Sequence, residues 1–156
     1  MKLKIYQIDA FTDQLFHGNP AAVCPLDRWL DDKTMQNIAS ENNLAETAFY
    51  VKKEGKYELR WFTPITEVDL CGHATLASAY VIFNIEKPHS NLITFSSPRS
   101  GILTVRKDDD FLILNFPKDN LKKVDLTNKM SLCFNLDPIE TYKGESDYLF
   151  IYSDFH

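Results

Sequence analysis

Long hydrophobic runs are missing from this 156-residue sequence, cysteine and glycine are scarce, and basic residues are fewer than acidic ones. No stretch reaches the roughly 18 consecutive apolar residues of a membrane-spanning helix, so we expect no membrane contact. The three cysteines, Cys24, Cys71 and Cys133, are odd in number and far apart. They match neither a disulfide framework nor a zinc-binding spacing, which favours a reducing, cytoplasmic setting and no bound metal.

The charge balance and the absence of several motifs argue against further classes of protein. Acidic residues number 22 against 17 basic ones, and no basic patch with interleaved aromatics is present, so we expect no nucleic-acid partner. There is no glycine-rich phosphate loop, no Gly-x-Ser-x-Gly elbow and no His-Glu-x-x-His pair. We therefore predict no bound organic cofactor. The alternating residues 1–9 indicate a strand rather than a signal peptide.

What the sequence does contain is one strongly apolar segment, Ala74 to Ile85, which predicts a helix buried on nearly all sides. Cys71, Gly72 and His73 stand before it, where the first free N–H groups of a helix favour an anion. Gly72 is expected where the backbone approaches another group closely or adopts an unusual angle. The same helix end favours a neutral His73 and a lowered pKa for Cys71, a possible base or nucleophile. The alternative is that Cys71 is a small buried residue.

Hydrophobic patterning predicts more strands than helices. A helix is predicted to open at Asp31-Asp32 and end at Asn42-Asn43, and a weaker one to cover 127–134. The predicted strands cover residues 3–11, 21–26, 46–53, 57–62, 92–95, 101–106, 111–116, 139–142 and 148–152. Hairpins dominate this order, so we predict an α+β fold in which a curved antiparallel or mixed sheet wraps around one buried helix.

Two further polar residues stand where packing does not require them. Asn19 precedes a proline and is held extended, so its amide could be aimed at a ligand; a plain turn is the alternative. Glu46 begins a strand and shares a face with Leu44 and Ala48, where an ionised carboxylate is costly. Such a group can take and return a proton. The alternative is an exposed or salt-bridged glutamate at a strand end.

Several motifs, in this order and spacing, resemble the N-terminal lobe of the phenazine-biosynthesis-like (PhzF) family of isomerases. The matching stretches are Asp9-Ala10-Phe11-Thr12, Gly18-Asn19-Pro20-Ala21-Ala22-Val23, Met35-Gln36-x-Ile38-Ala39, Asn42-Asn43-Leu44-Ala45-Glu46-Thr47-Ala48-Phe49, Arg60-Trp61-Phe62-Thr63-Pro64 and Glu67-Val68-Asp69-Leu70-Cys71-Gly72-His73-Ala74-Thr75-Leu76. The resemblance extends from about residue 4 to about residue 116.

The resemblance implies a diaminopimelate-epimerase-like fold, in which two similar lobes enclose the active site between them. It implies that Glu46 is the acid/base and that Gly72 and His73 line the substrate pocket. We add Asn19, Cys71 and Ala74 to the predicted substrate-binding residues. Family members with a known reaction shift a proton on a small carboxylate-bearing substrate, and that is the reaction and the ligand class expected here.

The cysteines favour an isomerase over a racemase. The related epimerases use two cysteines, one on each face of the substrate carbon, and Cys71 occupies a position similar to the first. Cys133 lacks a Cys-Gly context and does not resemble the second. Moving a proton along one face needs only one group, so a reaction centred on Glu46 is the better prediction.

The segment after residue 116 departs from the family pattern, because nothing in 117–156 resembles the second lobe. We therefore divide the chain into an N-terminal lobe, 1–116, and a connecting segment with an incomplete second lobe, 117–156. Three possibilities stay open: a truncated reading frame, a lobe that pairs with another copy as a homodimer, and a half that needs a partner chain. Activity is expected only when the cleft is completed. A non-catalytic binding or dimerisation module and an inactive fragment are the alternatives.

Overall fold

The computed structural model of the chain describes residues 2–14 and 16–153. They form two compact units, Met1–Phe116 and Pro117–His156. Strands of the first unit are β1 (Tyr6–Ala10), β2 (Asn19–Leu26), β3 (Glu46–Lys53), β4 (Lys56–Phe62), β5 (Glu67–Val68), β6 (Leu92–Ser97), β7 (Gly101–Asp108) and β8 (Phe111–Asn115). Its helices are α1 (Asp32–Asn42) and α2 (Gly72–Val81).

The strands of the first unit make one mixed sheet. Their order is β1-β2-β3-β4-β6-β7-β8, with the two-residue β5 paired to β4. The β2–β3 and β4–β6 pairs are parallel and the other described pairs are antiparallel. The mixed sheet predicted from the sequence is thus confirmed.

The turn into β2 differs from the sequence-based expectation. Strand β1 ends at Ala10, one residue early, because Phe11 has a positive φ of 65° that no strand accommodates. Strand β2 already begins at Asn19, which is extended as expected but lies in the sheet rather than in a loop. Gly18 allows this tight return: its φ is +79°, and a Cβ there would overlap the carbonyl oxygen of Ala10.

Helix α2 lies on one face of this sheet and is buried, as its apolar pattern predicts. Small side chains at Ala74, Ala77 and Ala79 let the strands approach closely, and all three are almost fully covered. The helix contacts β2 and β3 and also both end strands, β1 and β8. Because one helix reaches both ends of the sheet, the sheet must curl around it. The predicted wrapped architecture is confirmed.

The far end of α2 is anchored by two tyrosines. Beyond Val81 the helix continues as a π-helical turn, Ile82–Glu86, which the apolar pattern alone did not predict. The Glu86 carboxylate accepts hydrogen bonds from Tyr50 Oη at 2.6 Å and Tyr57 Oη at 3.0 Å. These bonds tie the end of the helix to β3 and β4, and the opposite end of α2 carries the Cys-Gly-His segment.

Helix α1 covers the other face of the sheet. Asp31 caps it by accepting a hydrogen bond from the Thr34 backbone N–H at 2.9 Å, and Asn43 follows its last residue in the left-handed conformation. The helix thus begins and ends where the sequence predicted. Its apolar side packs Met35 and Ala39 against Phe49 of β3. Alternate residues of β3 therefore face opposite helices.

The second unit contains β9 (Lys122–Val124), α3 (Asn128–Ser131), β10 (Glu140–Lys143) and β11 (Tyr148–Ile151). The three strands form an antiparallel sheet in the order β11-β10-β9. The predicted helix over 127–134 is shorter than expected, and β9 was not predicted because its two lysines give no alternating hydrophobic pattern. Across the described residues, every helix is too short or too polar to cross a membrane.

Candidate active site

The pairing of β3 directs the Glu46 side chain toward α2. Ala48 and Tyr50 of β3 belong to the core around α2, whereas Phe49 belongs to the core around α1. Side chains alternate along a strand, so Glu46 shares the face of Ala48 and Tyr50. Leu44 precedes the strand, in a bend, so the expected alternation does not extend back to it. Glu46 is the first strand residue, as predicted, and its side chain is 20% exposed.

Glu46, Cys71 and His73 meet at the start of α2. His73 Nε2 lies 3.2 Å from Glu46 Oε2, and His73 Nδ1 lies 3.3 Å from Cys71 Sγ. Cys71 and His73 are both buried. One polar atom from each of the three residues lies within 4.8 Å of the others. The structure therefore brings together three of the six residues that the sequence nominated.

Polar atoms of this site lack hydrogen-bond partners. Glu46 Oε2 and His73 Nε2 are buried and are 3.2 Å apart, but the alignment required of a hydrogen bond is not met. Trp61 Nε1 is likewise buried without a partner among the described residues. Trp61 pairs with Ala48 in the sheet, so it is on the same face as Glu46. Orphaned buried polar groups are costly, and a bound ligand is one way to satisfy them.

Trp61 is the residue that sequence reasoning missed as a site candidate. The Arg60-Trp61-Phe62 stretch belongs to the family-like motifs, but the sequence assigned Trp61 only to a predicted strand. A tryptophan can be buried without strain when its N–H finds an acceptor. Only the unpartnered indole N–H marks Trp61 as a site candidate, and that property can be seen only in the folded structure.

The expected lowering of the Cys71 pKa is wrong. Burial raises the pKa of the Cys71 thiol to about 12, and the nearby Glu46 charge acts in the same direction. The N–H groups at the start of α2 lower it, as the sequence suggested, but they do not outweigh burial. Cys71 is thus held as a neutral thiol, which fits neither a base nor a nucleophile.

We predict that only one of the three cysteines reacts readily in the folded chain. Burial raises the pKa of Cys24 and of Cys71 to about 12, which at pH 8 leaves roughly one thiol in ten thousand as thiolate. Cys133 is exposed. Titration with a thiol-specific chromogenic disulfide should show one fast equivalent, and two more only after denaturant is added. A second fast equivalent that disappears in Cys71→Ser would contradict the assignment of Cys71.

The remaining nominated residues lie around this cluster. Ala74 is buried in the first turn of α2. Asn19 shares a face with Ala21, the β2 partner of Glu46, so the register places it at the same end of the sheet. Gly72 begins α2 without a positive φ, and a Cβ there would find Phe116 at 3.4 Å, an ordinary contact. The expected unusual angle or tight approach at Gly72 is therefore wrong within this lobe.

The donor set of the cluster could in principle hold a metal ion, since it offers a carboxylate, a thiol and an imidazole. A metal would have to displace the thiol proton and would compete with the Cys71–His73 contact at 3.3 Å. With the thiol neutral, the same three groups place hydrogen-bond donors and acceptors side by side.

Known proteins resemble this chain over most of its length. The family model of phenazine biosynthesis-like proteins matches residues 8–147. An uncharacterised isomerase of Pseudomonas aeruginosa is 48% identical over 154 residues, which covers 99% of this chain and 59% of that protein. A solved PhzF-family structure from Enterococcus faecalis superposes with a TM-score of 0.89 at 44% identity, covering 99% of this chain and 58% of that one.

The chain belongs to the phenazine biosynthesis-like (PhzF) family. A predicted epimerase of Pseudomonas aeruginosa shares the fold at 22% identity, with a TM-score of 0.59 over 71% of this chain and 41% of that one. The expected diaminopimelate-epimerase-like fold is confirmed. The chain spans 59% of the length of the Pseudomonas aeruginosa isomerase and 58% of that of the Enterococcus faecalis protein.

Proposed function

We propose that this chain is one lobe of an isomerase that shifts a proton on a small carboxylate-bearing substrate, with Glu46 as the acid/base. The observation that carries the proposal is the pair of buried, unpartnered atoms Glu46 Oε2 and His73 Nε2, 3.2 Å apart at the start of a helix. A ligand that forms hydrogen bonds with both atoms would replace the hydrogen bonds to water that they lose on burial. The family relationship supports the same reaction class, since the 48% identical relative is described as an isomerase.

The start of α2 suits the carboxylate of such a substrate. Cys71 occupies the cap position without a side-chain hydrogen bond to the helix, so the first N–H groups are not capped by it. Aligned peptide dipoles make this end favourable for an anion. His73 is 8% exposed and adds a nitrogen at the same end. The substrate carboxylate would bind there, beside the Glu46 carboxylate.

Glu46 would then act on a neighbouring carbon. Its carboxylate takes a proton from one substrate carbon, the carbon–hydrogen electron pair shifts the double bond, and the resulting acid returns the proton to another carbon. One group suffices because the proton leaves the first carbon and returns to the second on the same face of the substrate. The neutral thiol of Cys71 leaves no second base of the epimerase kind in this cluster.

We propose that a second copy of the chain completes the cleft and covers an apolar surface of the first unit. Residues of β1, β8 and α2 line a cavity of about 560 Å³, and Phe11 and Phe111 at its rim are 72% and 75% exposed. Exposed apolar patches of this kind commonly mark interfaces. A twofold pair would cover both copies at once.

The reaction is tested by solvent-deuterium exchange. The wild-type chain is incubated in D2O with a panel of small unsaturated carboxylic acids, over protein concentrations that span the monomer–dimer range. Expected is deuterium incorporation that rises with the dimer fraction. Ligand-induced stabilisation without exchange would instead favour the non-catalytic binding module, and a broad, non-cooperative melt would favour an inactive fragment.

The pairing is tested by sedimentation velocity at micromolar concentration. We expect a dimer that Phe111→Ser weakens and Phe16→Ser leaves unchanged, since Phe16 is exposed but does not line the cavity. A wild-type chain that stays monomeric at these concentrations would refute the proposed pairing.

We predict that Gly72→Ala separates binding from folding. The added methyl group meets Phe116 at 3.4 Å, so the free energy of unfolding should change by less than about 1 kcal/mol. A methyl group at the substrate-facing helix end should lower the exchange rate about tenfold or more. Denaturant unfolding and the exchange assay measure the two effects. Unchanged exchange would remove Gly72 from the binding site.

A further inference from the structure

Cys71 has no role in the proposed proton transfer, yet its sulfur contacts the ring that faces the substrate. Sγ lies 3.3 Å from His73 Nδ1, and both residues are buried. A neutral histidine carries one ring hydrogen, and the partner of one nitrogen decides which nitrogen holds it. The contact between Cys71 and His73 therefore decides whether His73 Nε2 donates or accepts a hydrogen bond.

Two hydrogen-bond arrangements of a neutral His73 fit these distances. In the first, the thiol donates to Nδ1, and Nε2 carries the ring hydrogen. In the second, Nδ1–H donates to the sulfur, the thiol turns toward Glu46, and Nε2 is bare. The second leaves Nε2 without a hydrogen at 3.2 Å from Glu46 Oε2, so two atoms of partial negative charge lie close together. Two acceptors so close repel each other when the carboxylate is ionised, the form in which Glu46 accepts a proton.

We propose that the Cys71 thiol donates its hydrogen to His73 Nδ1 and so fixes His73 in the tautomer that is protonated at Nε2. Cys71 is thus a positioning residue: it acts on the substrate only through His73. The inference rests on the proposed function in one respect, the ionised state of Glu46. A thiol whose pKa is raised to about 12 keeps its hydrogen across the physiological range, so the donor is permanent.

This arrangement gives the buried site a defined set of donors and acceptors. Nε2–H lies 3.2 Å from Glu46 Oε2 without the alignment of a hydrogen bond, so a substrate oxygen can compete for it. The adjacent Glu46 oxygen is an acceptor. The Thr75 hydroxyl donates to the Cys71 carbonyl oxygen at 2.5 Å and holds the cap residue in place. The motif residue Cys71 is explained without nucleophilic chemistry.

The test is the protonation of the His73 ring nitrogens in the full chain, read from long-range ¹H–¹⁵N correlation spectra near neutral pH. His73→Gln identifies the signals among the four histidines. Expected for the wild type is a single neutral form with Nε2 protonated and Nδ1 unprotonated. Cys71→Ala should lose this single form and show a mixture of tautomers, whereas Cys71→Ser, which keeps a donor, should retain it.

The inference is overturned by a wild-type His73 that is protonated at Nδ1, or at both nitrogens, or by a Cys71→Ala spectrum identical to wild type. Backbone amide spectra of both variants show whether each is folded, and the wild-type spectrum decides the tautomer even if a variant is not. No substrate is needed for this measurement. The proposed tautomer can therefore be disproved while proton transfer by Glu46 is upheld, and proton transfer can be disproved while the tautomer is upheld.

Discussion

Glu46→Gln should abolish deuterium exchange into the substrate while the lobe stays folded. Glutamine has the size of glutamate but cannot take a proton at neutral pH, so the loss should be about 10²–10⁴-fold, the usual contribution of an acid/base group. Folding should survive because Glu46 Oε2 has no hydrogen-bond partner among the described residues, so the change breaks no bond there. The exchange assay and a denaturant melt measure the two quantities.

The matched control is Glu41→Gln, which removes the same charge from an exposed position in the last turn of α1. Exchange should stay at the wild-type rate in this control. A Glu46→Gln variant that retains exchange would show that another group moves the proton. A variant that unfolds would instead assign Glu46 a structural role, and Glu46→Asp would then be needed to test the chemistry with the charge kept.

Phe95→Ala should lower the free energy of unfolding by about 3–5 kcal/mol, the largest stability effect that we expect from a single truncation. Phe95 is fully buried in β6 and belongs to the core that also contains Cys71 and Ala74 of the site. Its ring lies 6.1 Å from that of Tyr57, whose hydroxyl helps to anchor Glu86. The cavity would remove contacts from the sheet that supports α2.

Phe16→Ala is the control for the same truncation at the surface. Phe16 is 96% exposed, so its loss should change stability by no more than about 0.5 kcal/mol. Urea unfolding followed by fluorescence and circular dichroism gives both values. Equal destabilisation by the two variants would contradict the assignment of Phe95 to the core that supports the site.

Local patterns were sufficient for most of the first unit. The all-round apolar segment after His73 predicted a buried helix, and α2 is buried. Strands were predicted over 46–53 and 57–62, and Glu54 and Gly55 between them have the paired positive φ values, 49° and 80°, of a tight two-residue hairpin turn. Each of these features depends on residues that are neighbours in sequence, so composition and period reveal it.

Features that depend on distant contacts were missed. The π-helical turn after Val81 follows an ordinary apolar run, and its end is bonded by tyrosines from two other strands. The indole N–H of Trp61 was not recognised as unpartnered, because satisfaction of a buried donor depends on the whole surrounding core. Neither property leaves a periodic signal in the sequence.

The sequence by itself nominated the residues of the candidate site, whereas the tertiary structure decided which of them meet and which charge state burial favours. Family-like motifs nominated Glu46, Cys71 and His73 although 24 residues lie between the first two. Helix position alone suggested a reactive Cys71, because the dipole at a helix start stabilises a thiolate. Burial outweighs that dipole, because the free-energy cost of removing a thiolate from water exceeds the stabilisation that the N–H groups of the helix start provide. The thiol is therefore neutral, and Glu46 and His73 are left as the groups of the cluster that we propose to handle protons.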